Sequence, residues 1–288
     1  MWGRYENGAL REFASLPRRI GLRNLRAVSK TAGVRLKALS AGLTDVGRKR
    51  SHNEDSYLID DELQLFVVAD GMGGHAGGGT ASRIAVETID KELRGVRSSP
   101  TSPFKAETAL QDSPLPDFLR AAVEKACFEI YRAAQEDPRL AGMGTTVISL
   151  CIQHEHALFA HVGDSRAYLV RGELIQQISE DHSLVNEQIK AGMITPDEAR
   201  HSRYKNIITR SVGFEEEVQV DVMGIMLEAN DTFVLCSDGL ANLVEDKEIR
   251  DIVGSTELKD TPKKLVDLAN ERGGDDNITV ICVRIVPA

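Results

Sequence analysis

The sequence predicts a layered α/β sandwich with mostly antiparallel strands, and three observations carry that prediction. Short apolar runs rich in Val, Ile, Leu, Phe and Tyr recur at 55–60, 64–69, 145–152, 156–162, 165–171, 218–224, 231–236 and 278–285, bounded by Gly, Asp or Asn. Helical periodicity appears at 78–94, 117–136, 183–191, 246–253 and 261–271. The first two helices follow one another between two groups of strands, which breaks the β-α-β alternation of a simple parallel sheet.

Residues 1–40 read as a basic N-terminal extension. They carry nine Lys and Arg against Glu6 and Glu12, with Pro17 and Gly21 interrupting any helix. Such a segment is either a loosely docked tail or an arm for an acidic partner or a membrane surface. Residues 41–288 are expected to form one domain. Within it, 95–116 holds Ser98, Ser99, Pro100, Ser102, Pro103, Pro114 and Pro116 and reads as an exposed linker between the two helices. No internal repeat is visible.

Composition excludes several classes. A hydrophobic fraction of 42% supports a sizeable core, and a net charge of −9 argues against a protein that coats nucleic acid. Cys127, Cys151, Cys236 and Cys282 stand far apart, mostly inside apolar runs, as buried thiols of a reducing compartment do. No apolar stretch approaches the roughly 18 residues that would span a bilayer, and Arg18-Arg19 is not followed by the apolar segment of an export signal. A cytoplasmic monomer is the expectation.

The chemistry is carried by aspartates at strand ends. The apolar run Leu65–Ala69 ends in Asp70 and the glycine-rich turn Gly71-Met72-Gly73-Gly74-His75. Phe233–Ser237 ends in Asp238-Gly239, Gly163-Asp164 forms a tight turn between two strands, and Asp275-Asp276 precedes the last strand. A buried strand aims a carboxylate rigidly, and glycine lets the backbone approach a ligand closely. Hard oxygen donors so widely separated in sequence suit Mg²⁺ or Mn²⁺. A contiguous calcium loop and a P-loop are both absent. Gly71-x-Gly73-x-x-Ala76 matches a dinucleotide fingerprint, but the acidic residue due about twenty positions later, Asp90, falls inside a helix. The run Thr44–Asp55 places basic groups beside Glu54 and Asp55, and arginine presents a donor fork that matches phosphate.

Taken together, these segments resemble the PP2C, or PPM, family of metal-dependent protein serine/threonine phosphatases in its compact bacterial branch. The matching order is Thr44-Asp45-x-Gly47 with Arg50-x-x-Asn53-Glu54-Asp55, Ala69–His75, Gly142–Thr146, Val162–Arg166, Asp181-His182-Ser183, Cys236–Leu240 and Asp276–Thr279. The resemblance spans roughly residues 41–286. It implies a four-layer αββα sandwich, two mostly antiparallel sheets flanked by helices, with two cations in the cleft at one end. Asp70 would bridge both ions, the Gly71 carbonyl would ligate one, and Asp238 and Asp276 would complete direct ligation. Glu54 would act through water, Asp164 with Asp238 would hold a third, weaker ion, and Arg50 would bind the substrate phosphate. Residues 183–213 resemble the flap beside the site.

The implied reaction is hydrolysis of phosphoserine and phosphothreonine on proteins, opposing a Ser/Thr kinase. A hydroxide between two Mn²⁺ or Mg²⁺ ions would attack phosphorus directly, and the absence of a C-x5-R loop agrees with that. One departure stands out: animal members carry a histidine directly after the Asp-Gly pair, where this chain has Met72. His75, three residues on, is the candidate proton donor, with metal-bound water as the alternative. The competing readings are a catalytically silent phosphoprotein-binding regulator, disfavoured because Asp70, Asp238 and Asp276 are all present, and a small-molecule phosphatase.

Overall fold

The computed structural model describes residues 36–73, 77–99, 102–105 and 113–288. Two five-stranded antiparallel sheets dominate it. One has the order β1 (Leu36–Asp45), β12 (Ile278–Pro287), β11 (Thr232–Cys236), β8 (Arg166–Arg171), β9 (Leu174–Gln177). The other runs β10 (Asp221–Met226), β7 (His156–Val162), β6 (Val147–Gln153), β3 (Leu65–Ala69), β2 (Ser56–Asp60). A short ribbon pairs β4 (Gly71–Met72) with β5 (Gly144–Thr145).

The central strands β3, β6 and β11 are buried at every residue, because both faces of each sheet are covered. Their side chains therefore read as continuous apolar runs rather than as alternation. Phe66, Val68, Leu150 and Phe159 point between the sheets and meet Phe233, Leu235, Ile281 and Val283. Phe159 and Phe233 meet edge to face, centroids 5.5 Å apart. The alternate residues Leu65, Val67 and Val147 face outward onto α1 (Gly77–Ser98) and α2 (Leu115–Glu136), through Ala81, Ala85, Ile89, Leu119 and Val123. On the opposite side, Val234, Cys236, Val280 and Cys282 pack on α6 (Asp246–Ser255) and α7 (Thr261–Glu271). The layers are thus helix, sheet, sheet, helix, as the resemblance implied.

Three details differ from the sequence reading. The boundary expected at 40/41 falls inside β1, which pairs with β12 from Leu36↔Pro287 to Asp45↔Ile278. As an edge strand, β1 buries only Ala38 fully, so its residues lack a clear period-2 signal. The 95–116 segment is shorter and better anchored, where described, than an exposed linker. α1 runs to Ser98, a 3₁₀ turn covers Pro103–Lys105, and buried Gln153 donates its amide to the Pro103 carbonyl. Ser102 and Ser113 are buried as well. The short helices α4 (Pro196–Arg200) and α5 (Asp238–Ala241) carry too few turns to show periodicity.

Within 183–213, α3 (Leu184–Lys190) is capped by Ser183, and the base is closed by Leu184 N–H to the Ile207 carbonyl and Thr209 N–H to the His182 carbonyl, both 2.8 Å. Residues 1–35 of the basic extension, including Arg18-Arg19, lie outside the described residues. Among the described residues no helix is long and apolar enough to cross a membrane.

Candidate metal centre

Segments far apart in sequence converge at one end of the sandwich because three backbone approaches tolerate no side chain. A Cβ at Gly71 would overlap the Gly78 carbonyl and lie 2.5 Å from the Glu54 carbonyl oxygen. One at Gly239 would overlap the Asn277 carbonyl, and one at Gly47, whose φ is +79°, would overlap that of Asp276. These contacts bring the ends of β3, β11 and β12 against the 46–55 loop. Asn277, almost fully buried, ties them together. Its Oδ1 accepts from Glu54 N–H at 2.7 Å, and its Nδ2 donates to the Val46 and His52 carbonyls at 3.0 and 2.9 Å.

Asp70 leaves β3 with its backbone pinned. Its N–H donates to Thr146 Oγ1 at 3.0 Å, and its carbonyl accepts from Thr146 N–H and Thr145 Oγ1, both at 2.8 Å. Asp238 opens α5 and takes Asn242 Nδ2 on Oδ2 at 3.0 Å, while its Oδ1 is buried and meets no donor. Asp276 receives Arg50 Nη2 on Oδ2 at 2.7 Å. Arg50 also lies within the fields of Glu54 and Asp70. Asp164 occupies the turn between β7 and β8.

The electrostatics of this cluster are one-sided. Burial, then Asp55, Asp238, Asp164 and Asp276, hold the Asp70 carboxyl well above the usual carboxylate range. Burial and Asp276 push Asp238 to about 6, and burial and Asp238 push Asp164 to about 7. Asp55 is a further member, one to which the sequence assigns no role. Its Oδ2 accepts from Ser237 Oγ at 2.9 Å and Thr279 Oγ1 at 2.6 Å, its Oδ1 has no partner, and burial raises it to about 7. Its sequence signals are its place directly after Glu54 and its membership of the Arg50–Asp55 motif.

Among the described residues no three His, Cys, Asp or Glu side chains stand as a closed ligand set. Asp276 is turned onto Arg50, and Asp70 and Asp238 approach within hydrogen-bonding range of each other. The donor chemistry nonetheless fits hard divalent cations. All the donors are oxygens, burial and then mutual repulsion weaken the acidities of Asp70, Asp164 and Asp238, and the buried Oδ1 of Asp238 lacks any hydrogen-bond donor. A cation would supply the opposite charge these groups lack. Asp70, Asp238, Asp276, Asp164, Glu54, Gly71 and Arg50 are thus brought to one region, whereas His75 lies outside the described residues.

The family model "Protein phosphatase 2C" matches residues 46–278. Protein phosphatase PhpP of Streptococcus pneumoniae is 42% identical over 245 residues, covering 84% of this chain and 95% of the relative. Among solved structures, the Mycobacterium tuberculosis serine/threonine phosphatase PstP/Ppp superposes with a TM-score of 0.76 at 30% identity, covering 88% of this chain and 100% of that one. The catalytic domain of PstP in complex with two manganese ions gives 0.76 at 31% identity, covering 87% and 99%.

Proposed function

The chain belongs to the protein phosphatase 2C family, and from that premise we propose how this metal-dependent protein serine/threonine phosphatase uses its residues. The observation that carries the reading is the cluster of buried carboxylates at the sheet ends, with Asp238 Oδ1 unmatched and Arg50 at the rim.

Asp70, Asp238, Asp276 and the Gly71 carbonyl are the groups that would hold two divalent cations. Glu54 would contribute through water, and Asp164 with Asp238 would hold a weaker third ion. Mn²⁺ or Mg²⁺ is the fit, as in the manganese complex of PstP. Bound there, the pair supplies activation of a water and neutralisation of charge on the phosphoryl oxygens.

The chain's own groups do the rest. Arg50 swings from Asp276 to the incoming phosphate and offers its planar fork to two oxygens. Asp70 keeps its aim because Thr145 and Thr146 fix its backbone. His75 is the candidate that returns a proton to the leaving serine or threonine oxygen. Residues 183–213 are a flap that selects among phosphoproteins made by a Ser/Thr kinase.

The test is phosphate release from a phosphothreonine peptide by the full chain. It should require Mn²⁺ or Mg²⁺, stop in EDTA, and be lost in Asp238→Asn. Full turnover in EDTA would refute the metal mechanism, and turnover of free phosphorylated metabolites in preference to phosphoprotein would favour a small-molecule phosphatase.

A further inference from the structure

Both flanks of the turn that carries Asp164 are gripped by two consecutive residues, Asp181 and His182, at the base of the 183–213 segment. On one side His182 N–H donates to the Gly163 carbonyl at 2.8 Å, and Gly163 N–H donates to His182 Nδ1 at 3.0 Å. On the other, Asp181 takes the Arg166 guanidinium, with Nε 3.0 Å from both carboxylate oxygens and Nη2 2.6 Å from Oδ2. The turn has little room to answer in any other way. Gly163 sits at φ +107°, and a Cβ there would lie 2.6 Å from Thr146 Cγ2. The Thr146 hydroxyl in turn meets Ser165 Oγ at 2.7 Å and receives the Asp70 N–H.

The outer nitrogen of the His182 ring faces Asp221 at the start of β10 and Arg210 of the 183–213 segment. A ring nitrogen that accepts an N–H bond carries no proton, so the Nδ1 contact selects the tautomer protonated on Nε2. Nε2 then donates to Asp221 Oδ2 at 3.2 Å, while Arg210 Nη1, 3.1 Å from the same ring nitrogen, directs its hydrogens elsewhere. Asp221 Oδ1 accepts from Arg210 Nη1 at 3.0 Å, and the same nitrogen reaches the Gln219 carbonyl at 3.1 Å. The His161 ring lies under His182 with centroids 4.7 Å apart. The His182 ring therefore runs from the Asp164 turn to Asp221 on β10 and to Arg210 near the end of the 183–213 segment.

We propose that Asp181 and His182 are positioning residues for Asp164. They hold its turn in the geometry that takes the weak third divalent cation, and they link that geometry to the closed base of the flap. The inference rests on the reading of Asp164 as a ligand of that ion. Groups that orient a ligand without touching the metal commonly change its affinity by an order of magnitude, and here a change at the flap base would reach the ion through His182.

The experiment is Mn²⁺ binding to the full chain by calorimetry, resolving the weak site from the tight pair. In His182→Asn the side-chain oxygen can stand where Nδ1 does and keep the Gly163 bond, whereas His182→Gln reaches the Nε2 position and loses it. The Gln variant should weaken the third site about tenfold with the tight sites unmoved, and the Asn variant should stay within about twofold of the parent. Asp164→Asn separates the two readings. If it leaves every site unchanged, the assignment of Asp164 fails; if it removes the weak site while Gln and Asn variants match the parent, the clamp fails. Amide exchange decides the matter should a variant not fold: Gly163 N–H should stay protected in the parent chain in EDTA, and rapid exchange there would overturn the proposal.

Discussion

Arg50 and Asp276, 226 positions apart, are joined by a charge-assisted hydrogen bond from Nη2 to Oδ2 of 2.7 Å. The bond holds the guanidinium on the border between buried carboxylates and water, with 48% of the Arg50 side chain still exposed. Under the proposed function, this exposed guanidinium is the group that receives the substrate phosphate.

Arg50→Lys should therefore keep the charge and lose the fork. The expected result is a fall of roughly tenfold to a hundredfold in kcat/KM on a phosphothreonine peptide, the equivalent of one lost hydrogen bond to a charged group. Tight Mn²⁺ binding should be retained. Steady-state kinetics beside a metal titration checks both; an unchanged kcat/KM would remove Arg50 from phosphate binding.

Gly71→Ala should disturb the centre through the backbone alone. Its methyl would collide with the Gly78 and Glu54 carbonyls, neither of which is the end of a flexible side chain. A loss of about 1–3 kcal/mol in unfolding free energy is expected, together with weaker Mn²⁺ binding. Urea unfolding with and without Mn²⁺ measures the two effects separately.

His161 gives a pH dependence of defined sign. It is wholly buried, and burial followed by the neighbouring His182 depresses its pKa to about 4. Below about 6.5 the unfolded chain takes up a proton that the folded chain refuses, so acid favours unfolding. Relative to His161→Phe, the parent should lose stability as pH falls from 6.5 to 4, by up to about 3 kcal/mol. Denaturant curves across that range test it, and a constant difference between the two proteins would contradict it.

Removal of residues 1–34 should leave peptide turnover nearly intact, while removal through Asp45 should abolish folding. The second deletion takes away all ten pairings of β1 with β12, and with them Thr44 Oγ1, which receives Asn53 Nδ2 at 2.8 Å and lies 2.7 Å from Thr279 Oγ1. Soluble yield and turnover of the two truncations give the answer.

Much of this was legible in the chain itself. The strands of the core announced themselves because they are apolar on both faces, and Asp70 and Asp238 because glycine follows an apolar run in each case. β1 did not, since an edge strand that buries a single residue fully has no pattern to show. The four-layer arrangement came from resemblance, since periodicity does not reveal which sheet a strand joins. Asp55 escaped for another reason. Its role depends on Ser237 and Thr279, about 182 and 224 residues downstream, whose hydroxyls hold one oxygen and leave the other bare.

The position of β12 between β1 and β11 has a consequence for biosynthesis. Until the ribosome has delivered that strand, β1 has no neighbour in its sheet, Glu54 has no carboxamide to rest on, and Arg50 has no aspartate to face. A nascent polypeptide that still lacks β12 is consequently expected to be inert toward phosphate esters. Competence should then follow the insertion of β12 between β1 and β11, which joins strands from the two ends of the catalytic body.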